Sequence, residues 1–122
     1  MRRARVVVAH RAPDRPAIRV RRGDAVVLGN RDRDWPQFVW TVVEGGNGGW
    51  VPAELFDTDH GRATALADYD TRELDADADQ VVQLHHEMAR WWWAEDDTGA
   101  QGWIPERALE LLDAPASGDN PT

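Results

Sequence analysis

Gly48-Gly49-Trp50-Val51-Pro52 returns 53 residues later as Gln101-Gly102-Trp103-Ile104-Pro105. A recurrence of that kind in a chain of 122 residues overrides the length prior for one average domain. It predicts two small all-β units, 1–57 and 62–113, followed by a segment, 114–122, with too little apolar surface to order itself. Outward from the motif, short apolar runs alternate with Gly, Pro, Asp and Asn, and no 3.6-residue periodicity develops. Strands are expected at Arg5–His10, Ala25–Gly29, Phe38–Glu44, Gly49–Pro52 and Leu55–Asp57. The second unit repeats the plan at Ala63–Asp68, Gln80–His85, Trp92–Glu95, Gly102–Ile104 and Ala108–Leu112. Gly45-Gly46-Asn47-Gly48 and Asp96-Asp97-Thr98-Gly99 are the expected hairpin turns, because their residues tolerate the backbone angles of tight turns. Over their middles the units align without gaps, with Ile18, Asp24, Leu28 and Trp35 matching Leu74, Gln80, Leu84 and Trp91.

Units this small bury only about 60% of their unfolded surface. The seven Trp are therefore valuable as core or binding area. There is no cysteine, so neither disulfides nor a thiolate metal site supports the fold. The basic N-terminus leads into an apolar run far too short for a secretion signal, and nothing approaches a membrane span. A cytoplasmic protein without membrane contact is the expectation. Charge is uneven: residues 1–57 hold 10 Arg against 7 acids (+3), and 58–122 hold 4 Arg against 15 acids (−11), summing to −8. The halves should attract each other, while the overall acidity argues against nucleic acid, whose binding rests on neutralising phosphates.

Four motifs of the second unit resemble the Src homology 3 (SH3) domain. They are Ala65-Leu66-Ala67-Asp68-Tyr69-Asp70, an acidic loop ending Glu73-Leu74, Trp91-Trp92-Trp93-Ala94, and Gly102-Trp103-Ile104-Pro105. The first unit is a more divergent copy, carried by Arg22-Gly23-Asp24, Trp35 and Gly49-Trp50-Val51-Pro52. The chain as a whole is similar to a bacterial tandem of variant SH3 domains, which implies two five-stranded barrels.

The resemblance implies a peptide groove. A polyproline II segment loses little entropy on binding and docks its rings between flat aromatic walls. In the second unit the groove positions fall on Ala67, Tyr69, Trp91, Pro105 and Ala108, with Trp93 extending the patch. Asp70, Glu73, Asp75 and Asp77 are positioned to catch an Arg that flanks the proline core. In the first unit the same positions hold Val8, His10, Trp35, Pro52 and Leu55, a weaker groove. Trp40, Trp50, Trp92 and Trp103 are assigned to packing. Arg11-Ala12-Pro13-Asp14-Arg15-Pro16 has the composition that an acidic groove reads, so self-association is a further expectation.

No convergent acid, base and nucleophile set is legible, so no enzyme is expected. No cofactor is implied. His85 and His86, adjacent in an expected strand, should point to opposite faces and not share a metal. Asp75-x-Asp77-x-Asp79 starts like a calcium loop but has Gln80 in place of the turn Gly and His86 in place of the closing Glu. The leading expectation is a non-catalytic module binding extended proline-rich or Arg-flanked peptides, mainly through the second unit. The alternative is an assembly protein whose eroded grooves mediate contacts between repeats or subunits.

Overall fold

Eleven strands and two 3-10 turns make up the described residues, 2–112, of the computed structural model, with no α-helix among them. The expected tail, 114–122, lies outside the described residues. The strands are β1 (Arg2–Val6), β2 (Arg19–Val20), β3 (Ala25–Arg31), β4 (Phe38–Val42), β5 (Gly48–Pro52), β6 (Gly61–Thr64), β7 (Tyr69–Asp70), β8 (Val81–Met88), β9 (Trp91–Glu95), β10 (Gln101–Pro105) and β11 (Leu109–Leu111). The turns are Ala53–Leu55 and Glu106–Ala108.

These strands do not group by repeat. A discontinuous unit joins the N-terminal residues up to Pro13 with those from Arg72 onward, and a contiguous unit is Asp14–Thr71. The expected boundaries, 1–57 and 62–113, therefore cut across both units. The cause is that each repeat gives up its first strand. β1 pairs with β8, placing Ala4 opposite Val82, and with β11, placing Ala4 opposite Leu111. β6 pairs with β3, placing Ala63 opposite Val26.

In the discontinuous unit the sheet order is β10-β9-β8-β1-β11. Alternation sends Ala4, Val6, Val82, Leu84, Ala94 and Ile104 into one core, closed by Leu74, Ala76 and Ala108. The first strand is earlier than the expected Arg5–His10, because Ala4 and Val6 fill the core while Val8 is 60% exposed. In the contiguous unit the order is β5-β4-β3-β6, with β2 paired to β7. Ile18, Val20, Val26, Leu28, Val39, Val51 and Ala63 are buried there. The expected strand Leu55–Asp57 begins as a 3-10 turn, and only Phe56 makes a bridge, to Ala65.

Both long central strands carry a bulge at the same place, between Leu28 and Arg31 in β3 and between Leu84 and His86 in β8. An extra residue in one strand kinks the ladder and re-aims the side chains beside it. The expected hairpins are present and alike. Val43 N–H donates to Asn47 O, and Asp96 N–H to Ala100 O. The β8–β9 turn is tighter: Ala89 and Arg90 both take positive φ, 54° and 72°, as a two-residue turn of this twist requires.

Candidate functional site

The site is built on β9, where side chains alternate. Ala94 is in the core and Trp92 packs against it, so Trp91 and Trp93 point to the opposite, outer face. On β10 the partners are Pro105 opposite Trp91 and Trp103 opposite Trp93. Trp93 and Trp103 meet edge to face at 5.2 Å, and His86 lies 6.4 Å from Trp93 and 5.3 Å from Trp103. Trp93 Nε1 donates to Gln101 Oε1 at 3.0 Å, fixing the indole. Trp103, assigned from sequence to packing, is only 4% exposed, yet it belongs to this outer aromatic row.

The loop from Arg72 pairs with the outer edge of β10. Trp103 N–H donates to Arg72 O at 3.0 Å and Leu74 N–H to Trp103 O at 3.1 Å. Gly102 makes the approach possible, since a Cβ there would lie 2.7 Å from Glu73 C and Leu74 N. From the N-terminal segment comes His10, edge-on to Trp91 at 5.5 Å with Nε2 2.8 Å from Glu73 Oε1. Trp91, Pro105, Trp93, Glu73 and His10 thus belong to one unit.

Tyr69 does not join them. It is buried in the contiguous unit, where β7 places it opposite Val20. The expected grouping of Tyr69 with Trp91 and Pro105 is corrected by the strand exchange: His10 stands in the discontinuous unit at the position Tyr69 holds in the contiguous one. Asp70 is also in the contiguous unit, accepting from Arg19 at 3.2 Å.

Pro52 lies opposite Phe38, as Pro105 lies opposite Trp91. Phe38, not Trp35, is therefore the counterpart of Trp91. Trp35 sits before β4 in a turn, its N–H donating to Asp32 and its carbonyl accepting from Phe38 N–H. Trp35 and Trp91 match by residue type alone, whereas the strand register against Pro52 and Pro105 sets the counterpart. Trp40 and Trp50 pair edge to face at 5.1 Å, and the Arg15 guanidinium lies 5.4 Å over the Trp40 ring.

The acidic loop is already engaged by its own chain. His10 meets Glu73, Ala12 N–H donates to Asp75 Oδ1 at 2.7 Å, Arg11 pairs with Asp77, and Arg5 with Asp79 at 3.0 Å. Asp77 and Glu110 hold the Arg11 and Arg5 guanidinium groups, respectively, above their ordinary range through hydrogen bonds and Coulomb attraction. His85 and His86 share the outer face, because the bulge turns both the same way: His85 Nε2 is 2.9 Å from Glu95 Oε1, and His86 stacks beside Trp93. The expected opposite faces do not hold. Among the described residues no group of three or more His, Asp or Glu is placed to hold a metal ion.

A small all-β unit with a Gly-Trp-β-branched-Pro strand beside an aromatic row narrows the family. Residues 3–56 match the variant SH3 domain. No curated protein and no solved structure matches the chain. The SH3 family is one of protein-interaction modules, generally without catalytic activity. The SH3 match runs through both structural units, contributing β1 to the discontinuous one and β2 to β5 to the contiguous one. No helix among the described residues is long and apolar enough to cross a membrane.

Proposed function

We propose that this protein is a non-catalytic cytoplasmic interaction protein made of two SH3-type barrels, and that it binds extended, proline-rich segments on the outer face of the discontinuous unit. The observation that supports this most is the joining of Trp91, Trp93, Trp103 and Pro105 on one face, with His10 and Glu73 at its edge. The half-buried indoles of Trp91 and Trp93 on β9, backed by the buried Trp103 and Pro105, present apolar ridges to proline rings, and a polyproline II ligand arrives already extended. An arginine flanking such a ligand reaches Glu73 only by displacing His10, so proline content outweighs flanking charge in this reading. In the contiguous unit, Tyr69, Phe38 and Pro52 form the poorer counterpart.

The test is a two-dimensional ¹⁵N spectrum of the indole N–H groups during titration with a proline-rich decapeptide. Trp91 and Trp93 should move selectively, and Trp91→Ala should abolish binding while leaving the circular dichroism spectrum intact. If no indole moves at roughly millimolar peptide, the weak end of measurable affinity, the peptide reading is wrong. The assembly reading then takes its place. It draws on the exposed Val7, Val8, Leu111 and Leu112 of the discontinuous unit, and self-association in sedimentation is its test.

A further inference from the structure

The two repeats carry exchangeable apolar strands and charges that are not exchangeable. β1 supplies Ala4 and Val6 to a core, and the 61–65 segment supplies Ala63 and Ala65 to the other. A few methyl groups separate them, so burial discriminates little between a strand kept in its own repeat and one given away. The family domain matches contiguous residues 3–56, which are the residues a chain-local path would use.

The register gives the correspondence between units. Ala4 and His10 occupy the places of Ala63 and Tyr69, 59 residues on, while Val20 and Val26 occupy those of Ala76 and Val82, 56 residues on. On this scale Arg11 corresponds to Asp70, and Arg19 and Arg21 correspond to Asp75 and Asp77. In the exchanged path Arg11 pairs with Asp77, Ala12 N–H with Asp75, and Arg19 with Asp70. The chain-local path would set Arg11 against Arg19 and Arg21, and Asp70 against Asp75 and Asp77. Opposite charges would become like charges in both units at once.

We propose that this charge pairing selects the exchanged chain path, and so decides that His10 rather than Tyr69 stands beside Trp91. The selection is independent of the peptide-binding reading; only its consequence for ligand choice rests on that reading. Each pair is exposed, but the chain-local path is disfavoured by repulsion as well as by lost attraction, and it would also forgo the Arg5–Asp79 and His10–Glu73 contacts.

The absence of cysteine makes the test direct. Arg3 lies opposite Gln83, and Val27 is the counterpart of Gln83 in the other unit, opposite Arg62. In the full chain, Arg3→Cys with Gln83→Cys should form a disulfide, since facing strand residues lie within bridging distance. Arg3→Cys with Val27→Cys should not. Adding Arg11→Glu with Asp70→Arg leaves net charge unchanged and reverses the preference, so disulfide formation in the R3C, V27C variant should rise roughly 10-fold. A folded reversed protein that cross-links only as the parent does would overturn the proposal. If the reversed protein does not fold, refolding the parent cysteine variants at about 10 mM and about 1 M salt decides. High salt should raise the chain-local bridge, and an unchanged ratio would remove charge as the selector.

Discussion

Replacing Gly102 by Ala tests how the 72–74 loop is held against β10. An added Cβ would stand 2.7 Å from Glu73 C and Leu74 N, both backbone atoms that no rotamer change can move. Restoring a contact of about 3.5 Å pushes the loop away by roughly 0.8 Å. That displacement stretches the bonds Trp103 N–H to Arg72 O and Leu74 N–H to Trp103 O, now 3.0 and 3.1 Å, past useful length. Their loss costs about 1 kcal/mol each, and residual strain adds about 1–3 kcal/mol. Reduced freedom of the unfolded chain returns about 0.4–1 kcal/mol. The net is a destabilisation of about 2–5 kcal/mol. Gly49, the counterpart in the contiguous unit, is an internal control, because the atoms nearest to its Cβ would belong to side chains, Ile18 Cγ1 at 3.0 Å and Thr71 Cγ2 at 3.2 Å. Gly49→Ala should cost under about 1 kcal/mol, since those side chains yield by a few tenths of an ångström. In urea unfolding followed by Trp fluorescence, Gly102→Ala should lower the midpoint by about 1–2 M for a typical m-value. A midpoint unchanged for Gly102→Ala, or lowered as far by Gly49→Ala, refutes the reasoning.

The contiguous segment 14–71 contains every strand of its unit and should fold alone, giving a dispersed amide spectrum; a random-coil spectrum would show that it depends on the rest of the chain. Asp96 Oδ1 accepts from Thr98 Oγ1, Thr98 N–H and Ala100 N–H, and the Thr98 hydroxyl bond foremost holds its carboxyl below the ordinary range. A carboxylate lowered by folding stabilises fully above its ordinary value near 4 and loses that contribution as pH falls through the lowered one. Asp96→Ala should therefore cost about 1 kcal/mol near neutrality, with the difference from the parent shrinking in acid melts. A constant difference down to about pH 2 would refute the linkage.

The all-β class, the two hairpins and the Gly-Trp-β-branched-Pro strands were legible because each is a local pattern of turn residues and alternation. What escaped was non-local or hidden by similarity. Trp35 aligned with Trp91 by identity, while the register that makes Phe38 its counterpart is set by pairing with Pro52. The bulge that brings His85 and His86 to one face leaves no mark in a run of polar residues. Strand exchange left no apolar signature, since Ala4 and Val6 fit where Ala63 and Ala65 would. Its trace was the charge imbalance between the halves, legible as attraction but not as a chain path. The acids of the 72–80 loop, expected to catch an Arg of a ligand, meet Arg5, His10 and Arg11 of the chain itself.

The exchange also governs how this sequence is free to vary. A substitution at His10 is felt at Glu73 and Trp91, more than sixty positions away, and not at Phe38 in its own repeat. Compensating changes should therefore be inherited across the repeats. Stacking 1–57 upon 62–113 would set each such pair in different columns and make coupled positions look independent. Neither repeat is a cassette that recombination could copy or delete alone, because each carries strands of both units.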